Sequence, residues 1–418
     1  MGEILGSPTG RKKIKRLIVI FLSGMIVMNA LVLWYGRSFI AEGYGDFAAF
    51  YAAGKIVQRG QGPHLYDRET QWQVQQEFSS KVSVRHGPLP YIRPSFEALL
   101  FLPFAYLSYP WAWALWVLLN IFVLFTIPFL LRPYLTGGLL PSPHWIGPLC
   151  LSFAPIAINF MHGQDAILVL LFFTLAFSAM RKQRDLLAGI FLAFGLIKFH
   201  LVIPFILVLA LRRKSRMVLG FFLCGVGLFL ISVFVSGWSG VSHYPEYLWR
   251  LSQATNLGVT TPESMPNLRG LMTLFIHHGL SHSYMNWLLI LIVASGVAFT
   301  AVVWRPGDDR DPMLFGAGYS LCLSVTILTS YYAYSYDLTL LLLPLMLLGD
   351  HFLEHGNTPR PLRIMFAVCS AIFLFAPVYW VFMFRFGHFY WLALVLLVLN
   401  VVILWAMRLW RESTPQPC

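Results

Sequence analysis

The feature that most constrains this chain is its succession of long apolar runs separated by short polar stretches. A helix needs about 20 mainly apolar residues to cross the hydrocarbon core of a bilayer. Backbone polar groups find no water there, so such runs fold as helices. The mean hydropathy is +0.68 and only 11% of the residues are charged, against roughly a quarter in soluble domains. The sequence therefore predicts an all-α integral membrane protein.

The predicted spans are apolar runs that are long enough to cross, or nearly so inside a bundle. They are residues 17–35, 111–131, 145–160, 166–180, 217–236, 283–304, 313–331, 338–349, 364–384 and 389–407. The first run is too long for the apolar part of a signal peptide, and no A-x-A-like site follows it, so we expect a retained helix.

Two further apolar stretches are ambiguous. Residues 96–107 are short for a span and contain Pro103. Residues 186–211 lie between two basic clusters, RKQR at 181–184 and RRKSR at 212–216. Because Lys and Arg concentrate on the cytoplasmic side, both ends of 186–211 should be cytoplasmic. That stretch is predicted to be a hairpin of two short helices with KFH, residues 198–200, at its tip.

The same rule predicts the remaining topology. It gives about twelve crossings with both termini cytoplasmic and leaves residues 96–107 in the outer interface. The long loops 36–95 and 237–282 then lie on the extracytoplasmic side, and their aromatic content predicts interfacial helices. We expect a single transmembrane domain over residues 1–418, in the inner (plasma) membrane of the cell.

Several other classes of protein do not fit. The net charge of +12 comes from short basic clusters between apolar runs, a pattern set by membrane orientation, and no nucleic-acid motif accompanies it. The five cysteines form neither a disulfide framework nor a metal-binding spacing. No His/Asp cluster has metal-ligand spacing, so neither a metal ion nor a cofactor is predicted.

Polar residues that packing does not explain fall in the predicted outer turns. Ionisable groups at membrane depth cost about 2.5–3.5 kcal/mol, which makes them functional candidates. His277 and His278 lie in an amphipathic segment and are expected to be structural. The residues expected around one cavity mouth are Asp46, His64, Asp67, His162, Gln164, Asp165, Lys198, His200, His243, Asn267, Arg269, Tyr336 and Asp337.

The main candidates each have a structural alternative. Asp46, in GYGDF, is placed to act as a general base on a bound hydroxyl, but it also precedes a helix-like stretch and could be its N-cap. Asp337 has the same alternative. Lys198 and His200 lie at the hairpin tip, where an anionic phosphate would be a partner, although a lysine can also snorkel to the interface. Arg269 is the other candidate cation, with an exposed loop arginine as its alternative.

Four stretches together resemble the family 87 glycosyltransferases, which include polyprenyl-phosphate-mannose-dependent α-mannosyltransferases of actinobacterial cell envelopes. They are GDFAAFYAAGKIVQRGQGPHLYD, HGQDAILVLLF, AGIFLAFGLIKFHLVIPFILVLALRRK and NLRGLM. The resemblance implies the GT-C fold, a bundle of transmembrane helices with interfacial helices in the first outer loop. It also implies an active site at the outer leaflet.

The resemblance assigns roles to single residues. Asp46 matches the acidic residue of the first outer loop that serves as catalytic base. The other matching positions are Gln164 in the G-Q turn, Lys198 in the hairpin, and Asn267 and Arg269 in an N-x-(S/R)-G-L-like stretch. This chain departs from the family's pattern at Asp165, where an Asn is common soon after the Gln, and at Phe199, where a Pro is common.

The implied reaction transfers a sugar, with mannose as the first candidate, from a polyprenyl-phosphate donor to a lipid or glycan acceptor, with inversion and without a metal ion. Lys198, His200 and Arg269 would stabilise the donor phosphate. The further predicted substrate-binding residues are Tyr44, Phe47, Tyr51, His162, Gln164, Asp165, Asn267, Tyr336 and Asp337.

Two other functions compete with this one. A polytopic flippase or transporter of lipid-linked sugars would also use a cationic cavity, but the sequence has no inverted repeat of the kind common in transporters. An O-antigen-ligase-like or polymerase-like glycan enzyme would share the lipid donor, but it would place its basic residues in a larger late outer loop.

Overall fold

The computed structural model describes residues 8–79, 87–135, 143–253, 261–276, 282–354 and 358–413, and within these ranges every regular element is helical. The helices of the first half are α1 (Pro8–Tyr35), α2 (Arg37–Ala41), α3 (Phe47–Gln58), α4 (Arg68–Gln76), α5 (Ser95–Phe101), α6 (Tyr109–Leu131), α7 (Pro143–Ser152), α8 (Ala154–His162) and α9 (Ala166–Arg181). Those of the second half are α10 (Asp185–Phe194), α11 (Phe199–Leu211), α12 (Ser215–Gln253), α13 (Leu268–Ile276), α14 (His282–Val303), α15 (Pro312–Thr329), α16 (Leu342–Glu354), α17 (Arg360–Leu374), α18 (Ala376–Val381) and α19 (Leu392–Ser413).

Seven described segments are long and apolar enough to cross a membrane, and the bent pair Arg360–Leu374 and Ala376–Phe386, which turns by 51°, is an eighth if it forms one span. The seven are Arg16–Tyr35, Tyr109–Tyr134, Asp185–Leu211, Ser215–Ser252, Tyr284–Val303, Pro312–Thr329 and Leu392–Ser413. Their number and length identify the chain as an all-helical, multi-pass membrane protein.

The predicted spans are helical, but some of them are broken. One is interrupted between α7 and α8, and another between α17 and α18. Asn29 of α1 bonds the backbone carbonyl groups freed at the first break and contacts a side chain near the second. Its Nδ2 donates to the carbonyl oxygens of Leu151 and Ser152 at 3.1 Å, and its Oδ1 accepts a hydrogen bond from the Trp380 indole at 3.0 Å. A backbone that leaves its helix at membrane depth needs such partners.

The segment Asp185–Leu211 would be about 40 Å long as a straight helix. Its ends are instead close together. A Cβ atom on Gly220 of α12 would collide with the Leu186 carbonyl oxygen at the start of α10, and only residues 212–214 separate α11 from α12. The chain bends at Lys198, whose φ of −119° and ψ of 63° are not helical. Helices α10 and α11 therefore run in opposite directions, with Lys198 at the tip between them.

Basic side chains from several segments gather at one end of the molecule. Arg212 donates to Asp309 at 2.8 Å, Arg411 bonds to Asp308 at 2.9 Å, and the Arg181 guanidinium lies over an aromatic ring at the start of α15. Helix α15 leads from this end to the opposite end in 18 residues. That is about 27 Å, close to the thickness of a bilayer core.

The opposite end carries the two long predicted loops. Directly after the first loop, the separate predicted stretch 96–107 forms most of the seven-residue helix α5 and a 3-10 turn, and a helix of about 10 Å is too short to cross. In the second, α12 continues to Gln253 after a break at Gly237 (φ 71°), so the start of the predicted loop is helical. His277 and His278 lie outside the described residues.

Candidate functional site

A cavity of about 530 Å³ lies at the end of the molecule opposite the basic cluster. It is enclosed by the first outer loop, the turn after α8, the bend at Lys198 and the segment that follows α15. Its polar lining residues are Asp46, Arg93, His162, Gln164, Lys198, His200, Thr261, Ser264, Tyr332, Tyr334, Ser335, Tyr336 and Asp337. The first-loop aspartate and the hairpin tip therefore share one cavity, as the sequence predicts.

Asp46 is the N-cap residue of α3 by position, but its carboxylate makes no capping hydrogen bond. Its Oδ2 accepts a hydrogen bond from Gln164 Nε2 at 2.8 Å and lies 3.4 Å from His162 Nδ1. The side chain is 32% exposed toward the cavity. Asp46 therefore occupies the N-cap position of the backbone, but its carboxylate does not cap the helix. The carboxylate instead contacts Gln164 and His162 in the cavity wall.

Two glycines allow the turns that carry these groups to pack against each other. Gly163 adopts a left-handed conformation (φ 63°), and a Cβ atom there would lie 2.5 Å from the Phe47 Cβ atom. Gly45 lies against the carbonyl oxygens of Met161 and His162. A Cβ atom added at Gly45 would lie 3.1 and 3.2 Å from these two oxygens. Because neither glycine carries a side chain, the start of α3 meets the end of α8 directly.

A continuous chain of polar contacts runs along the cavity wall from Asp46. Arg93 donates to Gln164 Oε1 at 3.0 Å and to Asp165 Oδ1 at 3.1 Å. Lys198 Nζ lies 3.0 Å from the same Asp165 oxygen and also bonds to Asp337. Arg93, Asp165, Lys198 and Asp337 are all buried. The lysine at the hairpin tip is thus neutralised by two carboxylates, and it does not snorkel.

Glu97 is a further buried carboxyl group next to this chain of polar contacts. Burial raises the pKa of Glu97 well above its usual range, and the charge of Asp165 raises it further. Burial also raises the pKa of Asp165, but the charges of Arg93 and Lys198 outweigh this and lower it. Glu97 is therefore the protonated member of the hydrogen-bonded Glu97–Asp165 pair.

The lining also includes polar side chains that are available to a ligand. His200 Nε2 is buried without a hydrogen-bond partner among the described residues. Burial raises the pKa of Tyr334 to about 12, so its phenol stays protonated at neutral pH. The Tyr336 ring lies 6.0 Å from His162, and the Lys198 ammonium lies 4.5 Å above it. Aromatic faces and donors of this kind suit a sugar phosphate.

Some predicted site residues lie behind the cavity lining. Arg269 donates to the Tyr331 carbonyl oxygen at 2.9 Å and stacks on the Tyr331 ring, so it is not the exposed loop arginine of the alternative interpretation. Asn267 Nδ2 donates to the Ser330 carbonyl oxygen at 2.8 Å, and its Oδ1 accepts from Gly270 N. Both residues connect α13 to the end of α15.

The prediction that Phe47 and Tyr51 bind substrate is wrong, because protein encloses both rings and neither residue lines the cavity. Phe47 packs against Trp116, and the Tyr51 hydroxyl donates to the Leu107 carbonyl oxygen at 2.7 Å. Tyr44 is partly exposed but does not line the cavity.

Three other predicted residues lie on the surface. His64 and Asp67 form an exposed pair at 2.7 Å, and His243 bonds to the carbonyl oxygen of Ser239. None of the three lines the cavity.

Sequence reasoning missed Arg93. It lies between Pro90 and Pro94 in a short stretch without helical periodicity, and the prediction treated that stretch as loop. The available signal was a lone arginine in an apolar, proline-bounded segment next to a predicted cavity, because a charge of this kind needs a buried partner.

The sequence model of glycosyltransferase family 87 matches residues 91–330, more than half of the 418-residue chain. The chain belongs to glycosyltransferase family 87. Its predicted membership is thereby confirmed, and it is a membrane glycosyltransferase. The matched segment of this family 87 protein includes Arg93, Gln164, Asp165 and Lys198, whereas Asp46 precedes it. Comparisons with curated proteins and with solved structures gave no match.

Proposed function

We propose that this family 87 glycosyltransferase moves a sugar, with mannose as the first candidate, from a polyprenyl-phosphate donor to a hydroxyl of a lipid or glycan acceptor. The observation that supports this most strongly is the Asp46 carboxylate, which faces the cavity, accepts a hydrogen bond from Gln164 and makes no capping bond. A carboxylate of this kind is suited to accept a proton.

In the proposed reaction, Asp46 removes the proton from the acceptor hydroxyl, and the oxygen attacks the anomeric carbon from the face opposite the phosphate. The new bond joins the anomeric carbon to the acceptor oxygen. The bond to the phosphate oxygen breaks, and polyprenyl phosphate leaves with its electron pair. This leaving group needs no proton, so one carboxyl suffices where a glycosidase uses two. The configuration at the anomeric carbon is inverted.

The growing charge on the leaving phosphate needs donors. His200, with an unpaired Nε2, is the first of the predicted residues to consider, and the Tyr334 phenol is a second donor on the lining. Lys198 would contribute through its positive charge while it remains bonded to Asp165 and Asp337. Arg269 would act from behind the Tyr332 ring, which lies 5.0 Å from its guanidinium.

We further propose the GT-C arrangement with about twelve crossings, interfacial helices in the first outer loop, cytoplasmic termini and an extracytoplasmic cavity in the inner (plasma) membrane. The basic cluster at one end of α15 and the cavity at its other end support this orientation. The opposite directions of α10 and α11 support counting Asp185–Leu211 as two crossings.

The test is sugar transfer by the purified protein in detergent. Labelled polyprenyl-phosphate mannose or glucose is supplied with a membrane lipid extract as acceptor, in the presence of EDTA. We expect transfer that the chelator does not inhibit, and a loss of about 10²–10⁴-fold in Asp46→Asn, which removes the base with little change of shape. Asp67→Asn, an exposed carboxylate of the same loop, should retain activity.

Two results would contradict the proposal. Full turnover by Asp46→Asn would remove this residue from the role of base. Movement of the labelled lipid across vesicles, without any transfer in detergent, would support a flippase, because detergent solution has no two compartments to transport between.

A further inference from the structure

Arg93 is the buried centre of the polar chain that ends at Asp46. It is 5% exposed, and one of its terminal nitrogens bonds both Gln164 and Asp165. On its other side, Nε lies 4.0 Å from Glu97 Oε2, and the guanidinium lies 5.6 Å from the Phe50 ring centre. Contacts on several sides leave the guanidinium little freedom to turn.

The backbone at Arg93 is held as firmly as its side chain. Three tyrosine hydroxyls donate to three successive backbone carbonyl oxygens. Tyr247 donates to residue 91 at 3.2 Å, Tyr244 to residue 92 at 2.8 Å, and Tyr66 to Arg93 itself at 2.9 Å. Tyr66 belongs to the first outer loop, and the other two tyrosines lie on the extension of α12 beyond Gly237. The segment is extended and lacks helix partners, so these bonds determine its position.

The contact with Arg93 fixes the orientation of the Gln164 amide. A guanidinium has donors and no acceptor, so the amide must present its oxygen to Arg93. The amide nitrogen then points the other way and donates to Asp46 Oδ2 at 2.8 Å. Without Arg93, the amide could rotate by half a turn and place its oxygen against the carboxylate.

We infer that Arg93 is a positioning residue for sugar transfer: by orienting the Gln164 amide, it supplies Asp46 with a hydrogen bond that holds the carboxylate ionised and aimed into the cavity. This inference rests on the proposed function of Asp46 and extends it to a residue that need not touch the substrate. Asp165 holds the guanidinium from behind, because it accepts a hydrogen bond from the same terminal nitrogen at 3.1 Å.

The test compares the wild type with Arg93→Met, Gln164→Leu and the double variant. A hydrogen bond to a charged group accounts for about a 10- to 100-fold effect, so each single variant should lower kcat by that factor and leave the donor KM nearly unchanged. The double variant should be no worse than either single variant, because both remove the same bond to Asp46. Arg93→Lys, which can still donate to Gln164 Oε1, should recover part of the loss.

A second measurement does not depend on turnover. The carboxyl band of Asp46, identified as the infrared signal that Asp46→Asn lacks, gives the pKa of that group in the unreacted protein. Losing a hydrogen bond to the ionised form raises a carboxyl pKa, so both single variants should titrate at higher pH than the wild type. His162, Tyr334 and Tyr336 also act on this group and are unchanged in every variant.

Arg212→Lys is the matched control, since Arg212 is a buried arginine bonded to Asp309 at the opposite end of the molecule. It should leave the Asp46 titration unchanged. Three results would overturn the inference. Two of them are additive losses of kcat in the double variant and an Asp46 pKa that does not shift. The third is a rise in the donor KM alone, which would make Arg93 a phosphate ligand. If the wild type fails to transfer sugar, the proposed function fails, while the infrared titration still decides the role of Arg93.

Discussion

Lys198 lies between two buried carboxylates, and this changes what its removal should do. Lys198→Ala would leave Asp165 and Asp337 without their shared cation. Removing one partner of a buried ion pair lowers the free energy of unfolding by about 3–5 kcal/mol, because the remaining charge is buried without a partner or water. We therefore expect a large loss in the free energy of unfolding, measured in detergent, in addition to any loss of donor binding.

Lys214→Ala is the control for this prediction. Lys214 bonds to Asp309 at 2.6 Å, but it is 26% exposed, and ion pairs near the surface contribute about 0–1 kcal/mol. Adding Asp337→Asn to Lys198→Ala should recover part of the stability by removing one unpaired charge. A Lys198→Ala protein that is as stable as the wild type and only binds the donor less well would instead make Lys198 a direct phosphate ligand.

At the scale of elements, the junction of α3 with α8 depends on Gly163. In Gly163→Ala the new methyl group would meet Phe47 at 2.5 Å. Gly60→Ala is a matched control, since Gly60 has a similar φ of 70° but no atom within 4 Å of the position of its Cβ. Backbone strain of about 1–2 kcal/mol is common to both, and overpacking adds about 1–3 kcal/mol at Gly163 alone. Only Gly163→Ala should also lower transfer, because it displaces Gln164. Equal losses of stability and activity in the two variants would contradict this account.

The elements themselves were largely predictable, because a span is a local property of chain length and hydrophobicity. Their interruptions were not: the break before α8 is stable because Asn29, more than a hundred residues earlier, bonds the free carbonyl groups. The site shows the same division. The placement of Asp46 and Lys198 in turns at one end of the molecule followed from the predicted topology, whereas the partners of Lys198 depend on which helices pack together. Arg93 lay in a stretch with no periodicity to assign it to a wall of the cavity.

For the whole molecule, the question is whether the chain crosses about twelve times or only as often as its long helices suggest. The two counts differ most clearly at Asp185–Leu211, which has the length of one span but turns back at Lys198. If it turns back, Lys182 before it and Arg216 after it lie on the same side of the membrane. If it crosses once, they lie on opposite sides. Both side chains are exposed, so both positions are open to labelling.

We expect Lys182→Cys and Arg216→Cys, each in a variant without native cysteines, to react with a membrane-impermeant maleimide only after the cells are permeabilised. Gln73→Cys, exposed in the first outer loop, should react in intact cells and serves as the outer reference. Opposite labelling of positions 182 and 216 would refute the hairpin and, with it, the count of about twelve crossings. Labelling of both in intact cells would keep the hairpin but invert the molecule. The cavity would then face the cytoplasm, where a donor carried in the outer leaflet could not reach Asp46.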